Sequence, residues 1–363
     1  MKKRVYFIGN IFTQNQPFKA YVLRALQVDG TDFSIEYFSE ADRDFFEELE
    51  RRVSHKEQIF LVSSKKSVTL ISKLLCSITD DKLVLKDEQL IPSKCEHFSQ
   101  GSYLLHVKKS VVNLLEVQES TALPKVYLQN ITKIQRLHYF EHSVKEVIDA
   151  TQTLSRQFDV TLNYSQRIEG WVEVEVRCNT FGSIEKFIEI LQQRHPENVI
   201  VTEDLVQHII NILEQRREKI SFSESCTGGL LAYYFTSHAG VSSVFEGSLV
   251  TYSNILKENW LAVENKTLVD NGAVSEAVVS EMCDGALTVA NADYALGISG
   301  IAGPDGGSEE KPVGTVVIGF KSATNEKVIT HHFQGDRKYI QEQSAHTALK
   351  MLILGAKKVF FTN

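Results

Sequence analysis

Three hydroxyls, a thiol, a carboxylate and a glycine pair fall in the stretch Ser223-Glu224-Ser225-Cys226-Thr227-Gly228-Gly229, between a short apolar run and an amphipathic helical pattern. Small polar residues and glycine at such a turn aim hydroxyls and backbone N–H groups out of a helix N-terminus, which suits an anion or an oxyanion. A plain helix cap by Ser225 or Thr227 is the alternative reading of the same residues. Downstream, Gly247-Ser248-Leu249-Val250-Thr251-Tyr252-Ser253-Asn254 runs as a strand into a helix and puts Lys257 one turn after Ser253. A lysine in the first turn opposes the helix dipole, so it is either a solvated surface group or one whose charge is wanted nearby. Desolvation or a neighbouring positive potential lowers the pKa of a lysine and turns it into a general base. A third stretch, Gly297 to Thr315, holds six of the 20 glycines of the chain in one loop between two strand patterns. Such a loop lets backbone approach a ligand closely and form an anion-binding nest, with Ser308, Lys311 and Thr315 as added donors; a flexible surface loop is the alternative.

The elements that must position these residues follow from periodicity. From Thr202 onward, Leu205, Val206, Ile209, Ile210 and Leu213 form the apolar stripe of a helix that the pattern caps at Thr202. Strands are predicted at Ile220 to Ser223, Phe245 to Tyr252, Tyr294 to Ser299, Thr315 to Phe320 and Lys327 to Phe333, and helices near Gly229 to Ser237, Ser275 to Ala290 and Arg337 to Lys357. Residues 200–363 therefore read as a self-contained α/β domain. Residues 131–199 read as a β-α-β-β-α module: a strand from Ile131 to Tyr139, a helix from Ser143 to Phe158, a hairpin of Val160 to Asn163 and Trp171 to Arg177, and a helix from Ser183 to Arg194. The second hairpin strand alternates Trp171, Glu173 and Glu175 with Val172, Val174 and Val176, which predicts a half-buried strand. In residues 1–130, Val5 to Ile8, Phe33 to Tyr37 and Ile59 to Val62 alternate with helical patterns at Phe18 to Leu26, Phe45 to Val53 and Val68 to Ile78, predicting a mostly parallel sheet covered by helices.

Composition limits the function classes. The 363 residues carry 39 Lys+Arg against 46 Asp+Glu, a net charge of −7 with no block of one sign, which disfavours a general nucleic-acid or membrane-surface binder. Five scattered cysteines without a CxxC pair indicate neither a disulfide framework nor a cysteine zinc site, so a reducing, cytoplasmic setting is expected. The apolar run after Met-Lys-Lys-Arg stops at Gly9 and Asn10, too short for a signal sequence, and no stretch approaches the ~20 apolar residues of a membrane helix.

With the three stretches in place, the region from Thr202 to the C-terminus resembles the C-terminal domain of the competence/damage-inducible protein CinA family, the nicotinamide mononucleotide deamidases. The matching motifs are Glu224 to Gly229, Val250 to Lys257, Gly272 to Ser275 and Ser299 to Thr315, in order and essentially unbroken. The resemblance implies an amidase that converts nicotinamide mononucleotide to nicotinate mononucleotide and ammonia in pyridine nucleotide salvage. By position it implies a catalytic group of Ser225, Lys257, Tyr252 and Ser242, with Ser225 as the nucleophile and Ser242 its alternative, Lys257 as base and acid, and Tyr252 and Ser242 as proton-relay or orienting groups. Amide hydrolysis needs an oxygen nucleophile, a base that later protonates the leaving ammonia, and oxyanion donors. Glu224, Thr227, Gly228, Gly229, Ser299, Gly300, Gly303, Ser308, Lys311, Gly314, Thr315 and Arg337 are the expected substrate-binding residues. Arg337 and the glycine loop would hold ribose and phosphate, since arginine pairs with phosphate bidentately. No cofactor and no metal is expected, and relatives suggest a homodimer.

Full-length relatives carry an N-terminal molybdopterin-binding-like three-layer α/β domain and a KH-like module, which the order of elements at 131–199 matches. In those relatives the N-terminal domain can hydrolyse ADP-ribose with a divalent metal, using glycine- and carboxylate-rich turns. Here the corresponding turns read Ile8-Gly9-Asn10-Ile11-Phe12-Thr13-Gln14 and Val62-Ser63-Ser64-Lys65-Lys66-Ser67-Val68, without most of the glycines and paired carboxylates. Backbone cannot then wrap a pyrophosphate and a hard cation finds no oxygen ligands, so a degenerate scaffold is expected. The KH-like module has only Gly170 and Gly182 and lacks the G-x-x-G clamp, so RNA binding is not expected. A non-catalytic adaptor in competence or damage response is the rival to the enzyme reading.

Overall fold

Val5, Tyr6, Phe7 and Ile8 are all buried, because the strand that carries them has a core on each face. The structure is a computed structural model that describes residues 2–27, 33–40, 42–128, 134–179 and 181–361. Contacts divide the chain into two compact units, Met1–Ile131 and Thr132–Asn363. The architecture is mixed α/β in several sheets.

The first unit runs β1 (Lys2–Ile8), α1 (Ile11–Gln14), α2 (Gln16–Ala25), β2 (Phe33–Phe38), α3 (Arg43–Arg52), β3 (Glu57–Ser63), α4 (Lys65–Thr79), β4 (Leu83–Lys86), β5 (Gln89–Pro92), β6 (His97–Ser99), β7 (Ser102–Val107) and β8 (Ser110–Glu116). Its main sheet has the order β2-β1-β3-β8-β7-β6, parallel from β2 to β8 and antiparallel beyond. Alternate residues of β1 serve opposite cores: Tyr6 and Ile8 pack with Phe45 and Leu49 of α3, Val5 and Phe7 with Phe18 and Val22 of α2. The turns after β1 and β3 lie at the carboxyl ends of parallel strands, where Ser64 Oγ donates to Glu40 Oε1 at 3.3 Å and Ser67 Oγ to the Glu40 carbonyl at 3.1 Å. The short strands from β4 to β8 carry no sustained alternation that would announce them in the sequence.

The second unit opens with β9 (Ile134–Phe140), α5 (Val144–Gln157), β10 (Val160–Ile168), β11 (Trp171–Cys178), α6 (Ile184–Arg194) and β12 (Val199–Val201). The start of the expected first strand at Ile131, and the boundary placed there, lie outside the described residues. The antiparallel order is β10-β11-β9-β12. Val172, Val174 and Val176 face α5 and α6, as alternation predicts. Trp171 on the other face is not solvated, however: with Phe140 and Ile168 it enters the core of the following domain.

That domain continues with α7 (Leu205–Arg216), β13 (Ile220–Glu224), α8 (Leu230–Thr236), a 3-10 turn (Val241–Ser243), β14 (Phe245–Val250), α9 (Asn254–Leu261), α10 (Asn265–Asn271), α11 (Glu276–Ala290), β15 (Tyr294–Gly300), β16 (Thr315–Ser322), β17 (Glu326–His332), α12 (Arg337–Gly355) and α13 (Lys357–Phe360). The sheet order is β14-β13-β15-β16-β17, with β14, β13 and β15 parallel. Residues of α7, α8 and α12 cover one face, those of α9, α10 and α11 the other. Thr202 does not cap α7: Asp204 does, its Oδ1 accepting from the Val206 and Gln207 amides, while Thr202 Oγ1 accepts from the Asp204 amide. The carboxylate wins because its charge also complements the helix dipole. Among the described residues no helix is long and apolar enough to cross a membrane.

Candidate active site

The sheet of the C-terminal domain steps from β13 outward to β14 and then back past it to β15, and ligands of open α/β sheets gather at the carboxyl ends beside such a reversal. Ser225 follows β13 there, its amide donating to the Ile298 carbonyl at 2.9 Å, and the Thr251 amide at the end of β14 donates to the Glu224 carbonyl at 2.8 Å. Ser253 caps α9 with its side chain, accepting from the Leu256 amide at 3.3 Å. The helix so started turns Lys257 back under the strand ends. Its Nζ donates to Ser225 Oγ at 3.2 Å and to the Thr251 carbonyl at 2.7 Å.

Lys257 is 1% exposed and Ser225 7%, so the pair is held in low dielectric. Burial pushes the Lys257 ammonium below the usual lysine range, and among the described residues no carboxylate forms an ion pair with it. Of the two readings of this lysine the solvated one is therefore excluded. Burial pushes the neighbouring Cys226 thiol up to about 12, which keeps it protonated beside the amine. Thr251 also carries a buried hydroxyl without a partner.

The turn after Ser225 is built differently from its simplest reading. Neither Ser225 nor Thr227 caps α8, whose N-cap is Gly229 without a side-chain bond. The buried Glu224 carboxylate serves instead, accepting from Thr227 Oγ1 at 2.8 Å, from the Gly229, Leu231 and Ala232 amides at 3.1, 3.1 and 3.0 Å, and from Ser248 Oγ at 3.0 Å. The chain thus supplies its own anion to this helix terminus. Glu224 and Thr227 spend their side chains inward, while Gly228 is exposed with open space where a Cβ would stand.

The long glycine loop is tied down at several points. Ser299 Oγ donates to the Ala273 carbonyl at 2.7 Å, Lys311 Nζ to the Asn271 carbonyl at 2.9 Å, and Thr315 Oγ1 pairs with His332 Nδ1 at 3.3 Å. Ser308 and Lys311 close a turn through the Lys311 amide and Ser308 Oγ at 3.0 Å. Gly300 lies against β16, where a Cβ would meet Val316 Cγ2 at 2.7 Å, and at Gly314, with φ +95°, a Cβ would meet the Phe333 carbonyl oxygen at 2.0 Å. These two glycines are packing requirements of the loop. Gly303 offers its carbonyl to Arg337 Nη1 at 2.6 Å, and Arg337 Nη2 donates to the Tyr252 hydroxyl at 3.2 Å. Arg337, Tyr252 and the loop thereby meet at the N-terminus of α12, with the Tyr252 side chain 64% exposed and accessible to a ligand.

Ser242 is not brought to this group within the chain. It is exposed in the 3-10 turn before β14, whereas Tyr252 follows the other end of that strand, whose six residues span about 20 Å. A residue missed by the sequence reading is Gln341, whose Nε2 donates to the Cys226 carbonyl at 2.7 Å. It lies one turn beyond Arg337 on the same helix face, a spacing that could have revealed it. Among the described residues no group of three or more His, Cys, Asp and Glu side chains could hold a metal ion.

Comparison with known proteins gives residues 202–354 as a match to the CinA C-terminal domain. A CinA-like protein of Leptospira biflexa is 39% identical over 189 residues, covering 52% of this chain and 45% of that protein. The chain thus matches about half the length of such relatives. The nicotinamide-nucleotide amidohydrolase PncC of Escherichia coli K12 is 48% identical over 149 residues, 41% of this chain and 90% of that protein. Among solved structures, the competence/damage inducible protein CihA from Agrobacterium tumefaciens is 40% identical, with 42% of this chain and 93% of that one covered at a TM-score of 0.40. With nine-tenths of the Escherichia coli protein matched at this identity, the chain belongs, through its C-terminal domain, to the CinA family.

Proposed function

We propose that the C-terminal domain is an amidase that hydrolyses the carboxamide of nicotinamide mononucleotide to nicotinate mononucleotide and ammonia. The observation that carries this reading is the buried Lys257 amine at 3.2 Å from Ser225 Oγ. The name of the Escherichia coli relative supports the substrate class.

In this mechanism neutral Lys257 takes the Ser225 proton as Oγ attacks the carboxamide carbon, and returns it to the departing nitrogen, releasing ammonia and leaving a Ser225 ester. Water, deprotonated by Lys257, then attacks the ester, and the serine regains its proton from the lysine. The Thr251 carbonyl holds the amine in line throughout. Tyr252 and Arg337, joined by their hydrogen bond, orient the nucleotide, with the guanidinium on its phosphate. Ammonia release from nicotinamide mononucleotide by the purified chain, with and without EDTA, tests the reading; no release, or release abolished by EDTA, overturns it.

The base form is the unprotonated amine, so kcat/KM rises with pH as Lys257 loses its proton. Because burial lowers that pKa, the ascending limb is expected below the usual lysine value of about 10.4. A pH–rate profile checks this, and an ascending limb that survives in Lys257→Arg assigns the titration elsewhere.

Arg337→Ala is expected to raise KM by about 10- to 150-fold, the equivalent of one charge-assisted contact, with a much smaller change in kcat. A phosphate contact made equally in ground and transition states is uniform binding. Steady-state kinetics decides, and an unchanged KM moves the phosphate to another donor, with Lys311 the next to test.

A further inference from the structure

Helix α12 carries Arg337 and Gln341 toward the strand ends, while Glu342, His346 and Lys350 lie on a stripe well round the helix from them, roughly 100–180° at 100° per residue. That second stripe meets the small module. The Trp171 ring is edge-on to His346 with centroids 5.6 Å apart and packs on Phe140 at 5.5 Å. Lys350 Nζ donates to the Glu169 carbonyl at 2.7 Å, two residues from Trp171. Tyr234 of α8 reinforces the same stripe, its hydroxyl donating to Glu342 and its ring 5.6 Å from that of His346.

Trp171 is itself fixed. Its Nε1 donates at 3.2 Å to His138 Nδ1, and His138 Nε2 donates to the Thr202 carbonyl at 3.2 Å. Burial holds the His138 pKa down to about 4, so the ring is neutral and can accept from the indole. Between Ile340 and Leu349 the buried residues of α12 are Ser344, Ala345, Thr347 and Ala348, all small, so this stretch has no large side chain keyed into the sheet, unlike Leu349 to Ile353 beyond it. A roll of the helix by about 10° moves a side-chain tip some 6 Å from the axis by roughly 1 Å, enough to break the contacts of Arg337.

The geometry points to Trp171 as a positioning residue of the amidase site: the module locks the rotation of α12 and so sets Arg337 for the nucleotide. This rests on the amidase reading above and gives the module a part in that activity.

In the full chain, Trp171→Ala is expected to raise KM for nicotinamide mononucleotide about tenfold with kcat within about threefold, and Trp171→Phe, which keeps a ring against His346, to recover most of the loss. In an Arg337→Ala background Trp171→Ala adds less than about twofold, because its effect runs through that side chain. Lys350→Met, which leaves the core closed, repeats the cycle with about a threefold rise and carries the test where Trp171→Ala does not fold. A KM unchanged in either folded variant, or effects that multiply in full with Arg337→Ala, overturns the inference alone. An inactive wild-type chain overturns the amidase reading and the inference with it.

Discussion

Ser225→Ala and Lys257→Met are each expected to lower kcat by about 10³-fold or more while KM stays within about tenfold. In the proposed mechanism both side chains act on the reacting carboxamide, and neither holds ribose or phosphate. The methionine in Lys257→Met keeps an unbranched apolar stem in the buried slot, so folding is preserved and the amine alone is lost. Because proton and nucleophile move in one step, the double variant should be little worse than either single one. Ammonia release with a quantified KM separates these variants from Arg337→Ala, which moves the other constant. Retained turnover in Ser225→Ala together with its loss in Ser242→Ala would make Ser242 the nucleophile, and the site would then need a different route to that exposed turn.

Glu224→Ala is expected to lower the stability of the second unit by about 3–5 kcal/mol, among the largest effects of any single change in the chain. Five donors converge on this carboxylate, three of them amides in and around the first turn of α8. Truncation leaves them buried without an acceptor and removes the negative charge from the helix N-terminus. Glu224→Gln should cost less, since one oxygen still accepts, but the amide nitrogen brings hydrogens to a place already crowded with donors. Both tryptophans, Trp171 and Trp260, belong to the second unit, so the urea dependence of intrinsic fluorescence reports that unit separately. A Glu224→Ala midpoint equal to that of the unaltered chain would mean that water replaces the carboxylate.

Local patterns determined much of this protein from sequence alone. The alternating Val172, Val174 and Val176, the apolar stripe of α7 and the run Val5 to Ile8 each announce the element that carries them, because one face of a strand or helix must be buried and its period is written in the chain. The position of Lys257 one turn after Ser253 was equally legible, since cap and helix are consecutive. Tertiary structure decided what depends on distant residues. The Glu224 side chain reads as a possible ligand group until the fold turns the amides of α8 and the hydroxyl of Ser248 onto it. Trp171 occupies a position that alternation assigns to solvent, and elements distant in the chain, among them α12 more than 160 residues later, close over it. Ser242 stands close in sequence to Tyr252, yet the intervening strand, about 3.3 Å per residue, carries the two to opposite ends of the sheet. Whether Lys257 is a surface charge or a buried amine was likewise open until Ser225 and the Thr251 carbonyl closed over it, because desolvation is set by everything that packs around a group and not by its neighbours in the chain.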